Sequence, residues 1–137
     1  MTKLKGILLT EGMHGMISQV EGLAKALDLE FIHEKIELNN LWKFIPPSLT
    51  PVKEFVFKNK IEKNFDIVIS CGRKSVIPSI YLKKKFKNKI MNIHIQDPKV
   101  SLDNFYFPLI HCLLYNELHL WILKRSYPLN HRVPVQL

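Results

Sequence analysis

The chain is poor in cysteine and arginine, and it lacks an uninterrupted apolar run long enough for a membrane. Cys71 and Cys112 are its only cysteines, far apart, without CxxC spacing and without a secretory signal before them. A reducing, cytoplasmic setting follows. Only three of the twenty basic residues are arginine, so planar, bidentate readout of bases is disfavoured and a nucleic-acid partner with it. The longest apolar stretch, residues 105–123, is broken by Pro108, His111, Asn116, Glu117 and His119. It makes a poor spanning segment, and peripheral attachment to a membrane is left open. GxGxxG, a Walker lysine and HExxH are all missing, and no Ser-His-Asp set can be assembled. The histidines show no metal-ligand spacing, so no metal is expected, and no cofactor is implied.

What is present describes one soluble, well-filled domain. A chain of 137 residues buries roughly 68% of its unfolded surface, enough for one core without staples. Apolar residues make up 47% and charged residues 23%, ordinary values that argue against disorder. The net charge of +8 has two readings. It reflects an AT-rich coding bias towards lysine, or it attracts an anionic partner such as a nucleotide, a phospholipid headgroup or, less readily given the scarce arginine, nucleic acid.

Hydrophobic patterning gives the order of elements. Residues 6–10 form a short continuous apolar run, typical of a buried parallel strand, and Gly12 and Gly15 break it. Ser18 with Glu21 has capping-box spacing before a helix carrying Val20, Leu23, Ala24 and Leu27. Residues 31–38 read as a more exposed strand beside the first, and residues 39–51, with Trp42, Phe44 and two consecutive prolines, as a long connection. Residues 52–63 fit a short helix. Residues 65–70 are the clearest buried strand, followed by a turn and a helix over 76–86 with Pro78 in its first turn. Residues 89–95 form the fourth strand. This order predicts an α/β fold, a Rossmann-like parallel sheet with helices on both faces.

Two strand-to-helix junctions concentrate chemistry. Ser70-Cys71-Gly72-Arg73-Lys74-Ser75 combines a glycine that permits close backbone approach with cationic and hydroxyl donors at a helix start. Ile95-Gln96-Asp97-Pro98 closes the fourth strand, with His94 and Gln96 on one strand face; Asp97 either accepts a substrate hydroxyl or acts as a base, or it simply ends the strand before proline. The earlier loop with Gly12 and Gly15 either contacts an anion through backbone N–H groups or is a tight turn that needs glycine. Cys71 reads as a packing residue rather than a nucleophile.

These same segments carry a resemblance. Residues 8–15, continued through Gln19, Gly22-Leu23-Ala24 and Ala26-Leu27, resemble the opening of the mitochondrial-fission-protein-like family shared by plants and many Gram-negative bacteria. Ile69-Ser70-Cys71-Gly72-Arg73-Lys74 and Ile95-Gln96-Asp97-Pro98-Lys99 resemble two further motifs of that family, in the same order. Its members resemble glycosyltransferases of the two-Rossmann-domain (GT-B) type, and bacterial ones are often labelled nucleoside-diphosphate-sugar epimerases. The plant branch is implicated in mitochondrial division.

The resemblance implies residues 1–106 as the N-terminal domain of a GT-B-like protein and residues 107–137 as a divergent segment, left by a truncated or frame-shifted gene or belonging to a short variant. Such a domain lines half of a cleft for a sugar-phosphate, nucleotide-sugar or lipid-linked acceptor and is catalytically incomplete alone. The residues it nominates for ligand contact are Gly12, Gly15, Gly72, Arg73, Lys74, Ser75, Gln96 and Asp97, with Asp97 as the one catalytic candidate. The rival expectation is a non-enzymatic module that binds a membrane or a protein.

Overall fold

The computed structural model describes residues 3–62, 65–87, 89–96, 99–105 and 107–109. Five parallel strands, β1 (Lys5–Thr10), β2 (Glu30–Lys35), β3 (Ile67–Cys71), β4 (Met91–Ile95) and β5 (Phe107–Leu109), form one sheet in the order β2-β1-β3-β4-β5. The helices α1 (His14–Ala26) and α2 (Val76–Lys85) cover its two faces. This is the expected Rossmann-like α/β arrangement, with a fifth strand in addition to the four read from the pattern.

Strand alternation decides which helix each residue meets. Leu8, Ile67, Ile69, Met91 and Ile93 pack with Val20, Ala24 and Leu27 of the α1 layer. Ile7, Leu9 and Val68 point the other way and pack with Ile77 and Leu82 of α2. β3, central in the sheet, is buried along its whole length, whereas β2 at the edge is largely exposed. That contrast explains why β3 is apolar except at Ser70, while β2 carries Glu30, His33, Glu34 and Lys35.

Two expectations are corrected. The helix α1 begins at His14 rather than after Ser18: Gly12, at φ +89°, turns the chain, and Met13 in extended geometry is the N-cap without any side-chain bond. Ser18 and Glu21 therefore lie inside the helix, and the Glu21 carboxylate reaches across to His33 Nε2 on β2 at 2.7 Å. Where a helix is expected over 52–63, the described residues 52–62 hold a single 3-10 turn at Glu54–Val56. Their backbone groups are used elsewhere: Asn39 N–H donates to the Val56 carbonyl and Lys58 N–H to the Glu37 carbonyl, both at 2.9 Å, with Leu38 and Phe57 forming an antiparallel bridge.

The α2 side of the sheet also holds polar groups. Asn92 donates from Nδ2 to the Asn104 carbonyl at 3.0 Å, fastening the connection after β4 to the sheet. Ser70 and His94 are register partners, fully buried, with Oγ 2.8 Å from Nδ1 and the Phe105 ring 5.3 Å from the imidazole. This pair is sealed within the fold, and it serves packing rather than chemistry at a surface.

Candidate functional site

Strand order β2-β1-β3 means that the chain leaves β1 in one direction and β3 in the other, so a crevice opens where their carboxyl ends part. Doubly wound sheets bind ligands at this switch point. Here the two lips are Thr10-Glu11-Gly12 after β1 and Gly72-Arg73-Lys74-Ser75 after β3, two glycine turns that the fold makes neighbours.

The first lip leads into α1. Gly12 N–H donates to Thr10 Oγ1 at 3.2 Å, which closes the turn. The first turn of α1 contains no acidic residue and receives no side-chain cap, and His14 and Gly15 are exposed there. A Cβ added at Gly15 would meet nothing within 4 Å. The N–H groups of this first turn are left without a side-chain acceptor at the positive helix end, the arrangement that takes a phosphate or carboxylate.

The second lip is more occupied. Gly72, at φ +95°, is buried, and a Cβ there would lie 2.8 Å from Met16 Sδ of α1 and 3.3 Å from Glu11 Cγ. Its glycine requirement thus comes from backbone conformation and from α1 pressing on it. Glu11 Oε1 accepts the Lys74 N–H at 2.7 Å, placing a carboxylate of the protein itself on the turn. Ser75 Oγ, buried, points back to the Cys71 and Gly72 carbonyls at 2.9 and 2.8 Å. Arg73 is exposed and donates from Nη2 to the Lys43 carbonyl at 2.6 Å, which ties the 39–51 connection to this edge and leaves the remaining guanidinium donors facing solvent.

Cys71 lies beneath the turn. Burial pushes its thiol up from the ordinary 9.0, and the Glu11 carboxylate adds to the rise. With Sγ 3.3 Å from Gln19 Oε1, this thiol is a packing group held in its protonated form.

Of the residues nominated from sequence, Gly12, Gly15, Gly72, Arg73, Lys74 and Ser75 are brought to the carboxyl edge around one crevice. Gln96 lies one residue beyond the end of β4, exposed and at φ +83°, so it has left the strand face that carries His94. Asp97 lies outside the described residues. Glu11 is the residue that sequence reasoning missed. Its signal was its place between a strand end and Gly12, yet nothing local shows that it bonds 63 positions away. Among the described residues no three His, Cys, Asp or Glu side chains gather as a metal set, and no helix is long and apolar enough to cross a membrane.

Residues 14–110 match the family described as Mitochondrial fission ELM1. The chain belongs to that family. The match begins with α1 and runs through β5, so it takes in the Gly72 turn and the end of β4, while the Gly12 turn lies just before it. Comparison with curated proteins and with solved structures returned no match. Membership in the Mitochondrial fission ELM1 family therefore rests on the chain from α1 through β5, with β1 outside the match.

Proposed function

We propose that this domain forms one wall of a glycosyltransferase-like (GT-B) cleft and holds the phosphate of a sugar-phosphate, nucleotide-sugar or lipid-linked ligand at the β1/β3 switch point. The observation that carries this reading is the first turn of α1, uncapped, free of acid and open above Gly15 at the carboxyl edge of the sheet. Arg73 at the rim supplies a second source of positive charge, and the net charge of +8 favours the approach of anions. The Glu11 carboxylate shields the Lys74 N–H, so the ligand contact is assigned to α1 rather than to the second turn. Gln96, with Asp97 after it in sequence, is the candidate for contact with ligand hydroxyls, and Asp97 is the candidate to take a proton from them. The domain supplies binding and orientation, and the reaction needs the second wall of the cleft.

Calorimetric titration with UDP-sugars and with inorganic pyrophosphate tests this. Gly15→Asp puts a carboxylate over the same amides and should weaken binding at least about tenfold, equivalent to ~1.4 kcal/mol, with no loss of melting temperature. Arg73→Ala should weaken it less. Absence of binding, or binding indifferent to Gly15→Asp, refutes the assignment.

A second reading is favoured by one observation. Leu41, Phe44 and Leu49 on the 39–51 connection are 66%, 86% and 74% exposed, with Lys43 among them. Apolar side chains at that exposure beside a cation suit a non-enzymatic module that docks on a membrane or a protein. Co-sedimentation with anionic vesicles, weakening steeply with salt and lost in Phe44→Ser, would support it; salt-independent or absent binding would exclude the membrane form.

A further inference from the structure

On the α2 face of the sheet, away from the carboxyl-edge crevice and sharing no residue with it, lies a cavity of about 590 Å³. That volume is within the range of small-molecule sites. Residues 53–60 form one side and α2 the other, and its walls are Phe55, Phe57 and Tyr81 with Lys53, Lys58 and Lys60 around them.

The aromatic part is held in place. Phe57 and Tyr81 meet at 5.5 Å in an edge-on pair at 67°, and Phe55, 58% exposed, is backed by Trp42 at 5.9 Å. The backbone below is pinned by Asn59, whose Nδ2 donates to Glu34 Oε1 at 2.6 Å and to the Lys35 carbonyl at 2.9 Å, while its Oδ1 accepts Glu37 N–H at 3.1 Å. Three contacts to the end of β2 make this a preformed wall rather than a loose loop.

The charge is one-sided. Glu54 is the only acid in the lining, against three lysines. Lys58 has a distant, exposed pair with Glu37 at 3.9 Å, and among the described residues Lys53 and Lys60 make no ion pair. A fourth ammonium, Lys85 Nζ, stands 5.6 Å over the Tyr81 ring. An exposed ring face with several ammonium groups within reach matches a ligand that is flat and apolar at one end and multiply negative at the other.

We infer that this cavity binds a planar aromatic ring carrying a phosphate, the ring lying against Phe55 and the phosphate among Lys53, Lys58 and Lys60. Neither half suffices: phosphate alone gains only exposed lysines, and the ring alone gains one exposed face.

Trp42, in contact with Phe55, is a built-in reporter. In a Trp121→Phe background, titration with adenosine monophosphate should quench or shift its fluorescence, with adenosine and inorganic phosphate each at least about tenfold weaker. The pair Lys58→Glu and Lys60→Glu should abolish the response, and Phe55→Ala, made separately, should weaken adenosine monophosphate towards the affinity of phosphate. Gly15→Asp should leave it unchanged, which separates this site from the crevice. The inference is overturned if inorganic phosphate binds as well as the nucleotide, if both sets of substitutions leave the titration intact, if Gly15→Asp abolishes it, or if millimolar nucleotide produces no response.

Discussion

Gly72→Ala asks why the turn after β3 carries glycine. At φ +95° and ψ 156° the backbone occupies a region that side-chain-bearing residues essentially avoid. Holding alanine there costs about 1–3 kcal/mol. The added Cβ would also stand 2.8 Å from Met16 Sδ and 3.0 Å from Met16 Cε, closer than real contacts allow. Because these atoms are the far end of a flexible side chain, Met16 swings aside, and the loss of its packing adds less than the ~1–3 kcal/mol typical of overpacking. The sum is about 2–4 kcal/mol, or roughly 8–16 °C in Tm for a domain of this size. Gly22→Ala is the matched control, since Gly22 lies within α1 with nothing within 4 Å of its added Cβ; it should gain ~0.5–1 kcal/mol. Urea denaturation of both variants with unchanged m-values measures the contrast. A loss below about 0.5 kcal/mol at Gly72 would refute both the strain and the contact with α1.

Three further outcomes are expected. Asn92→Ala removes the donor to the Asn104 carbonyl in a buried site and should cost about 2–3 kcal/mol in urea unfolding, with the connection after β4 losing amide protection first; unchanged protection there would contradict the role given to this bond. Glu11→Gln removes a negative charge beside Cys71, so in a Cys112→Ser background the pH profile of Cys71 alkylation should move down while staying above 9.0, because burial, the larger cause, persists; an unmoved profile would dissociate Glu11 from the turn. The Glu21 carboxyl is held below 4.5 chiefly by the His33 hydrogen bond and also by Lys25. A depressed carboxylate stabilises the fold above its unfolded value and loses that contribution as pH falls through the folded one, so the stability difference between wild type and Glu21→Gln should be present at neutral pH and close in acid.

Much of the sheet was legible because a strand buried on both faces of a parallel sheet is mostly apolar, with the few polar groups it holds, Ser70, Asn92 and His94, hydrogen-bonded. The apolar run read at 65–70 is the buried strand β3 within two residues, and the partial alternation of residues 31–38 read as the more exposed strand beside β1. The start of α1 was misplaced because Ser18 and Glu21 have the spacing of a capping box, whereas the real N-cap, Met13, uses no side chain at all. Its position is set by Gly12, whose positive φ turns the chain immediately after β1. The 52–63 segment was misread because its apolar residues satisfy helical spacing over a short window, while its backbone groups are claimed by Glu37 and Asn39 after β2. Pairing partners that far away in sequence leave no local mark.

The site divides in the same way. Glycines at strand ends announced both lips of the crevice, and strand order then joined them. What could not be read was which lip is free. Arg73 and Lys74 follow Gly72 in sequence as ready donors, but tertiary packing gives the face of Gly72 to Met16, the Lys74 N–H to Glu11 and an Arg73 donor to Lys43. Gly15, with less chemistry around it in sequence, is the one left open.

The most direct measurement is an amide NMR titration of the chain with inorganic pyrophosphate and with a UDP-sugar. Binding at the switch point predicts saturable shifts concentrated at His14, Gly15 and Met16, with Lys74 little affected, and their disappearance in Gly15→Asp. Shifts spread over the lysine-rich surface with no focus on the first turn of α1, or focused instead on Lys74, would contradict it.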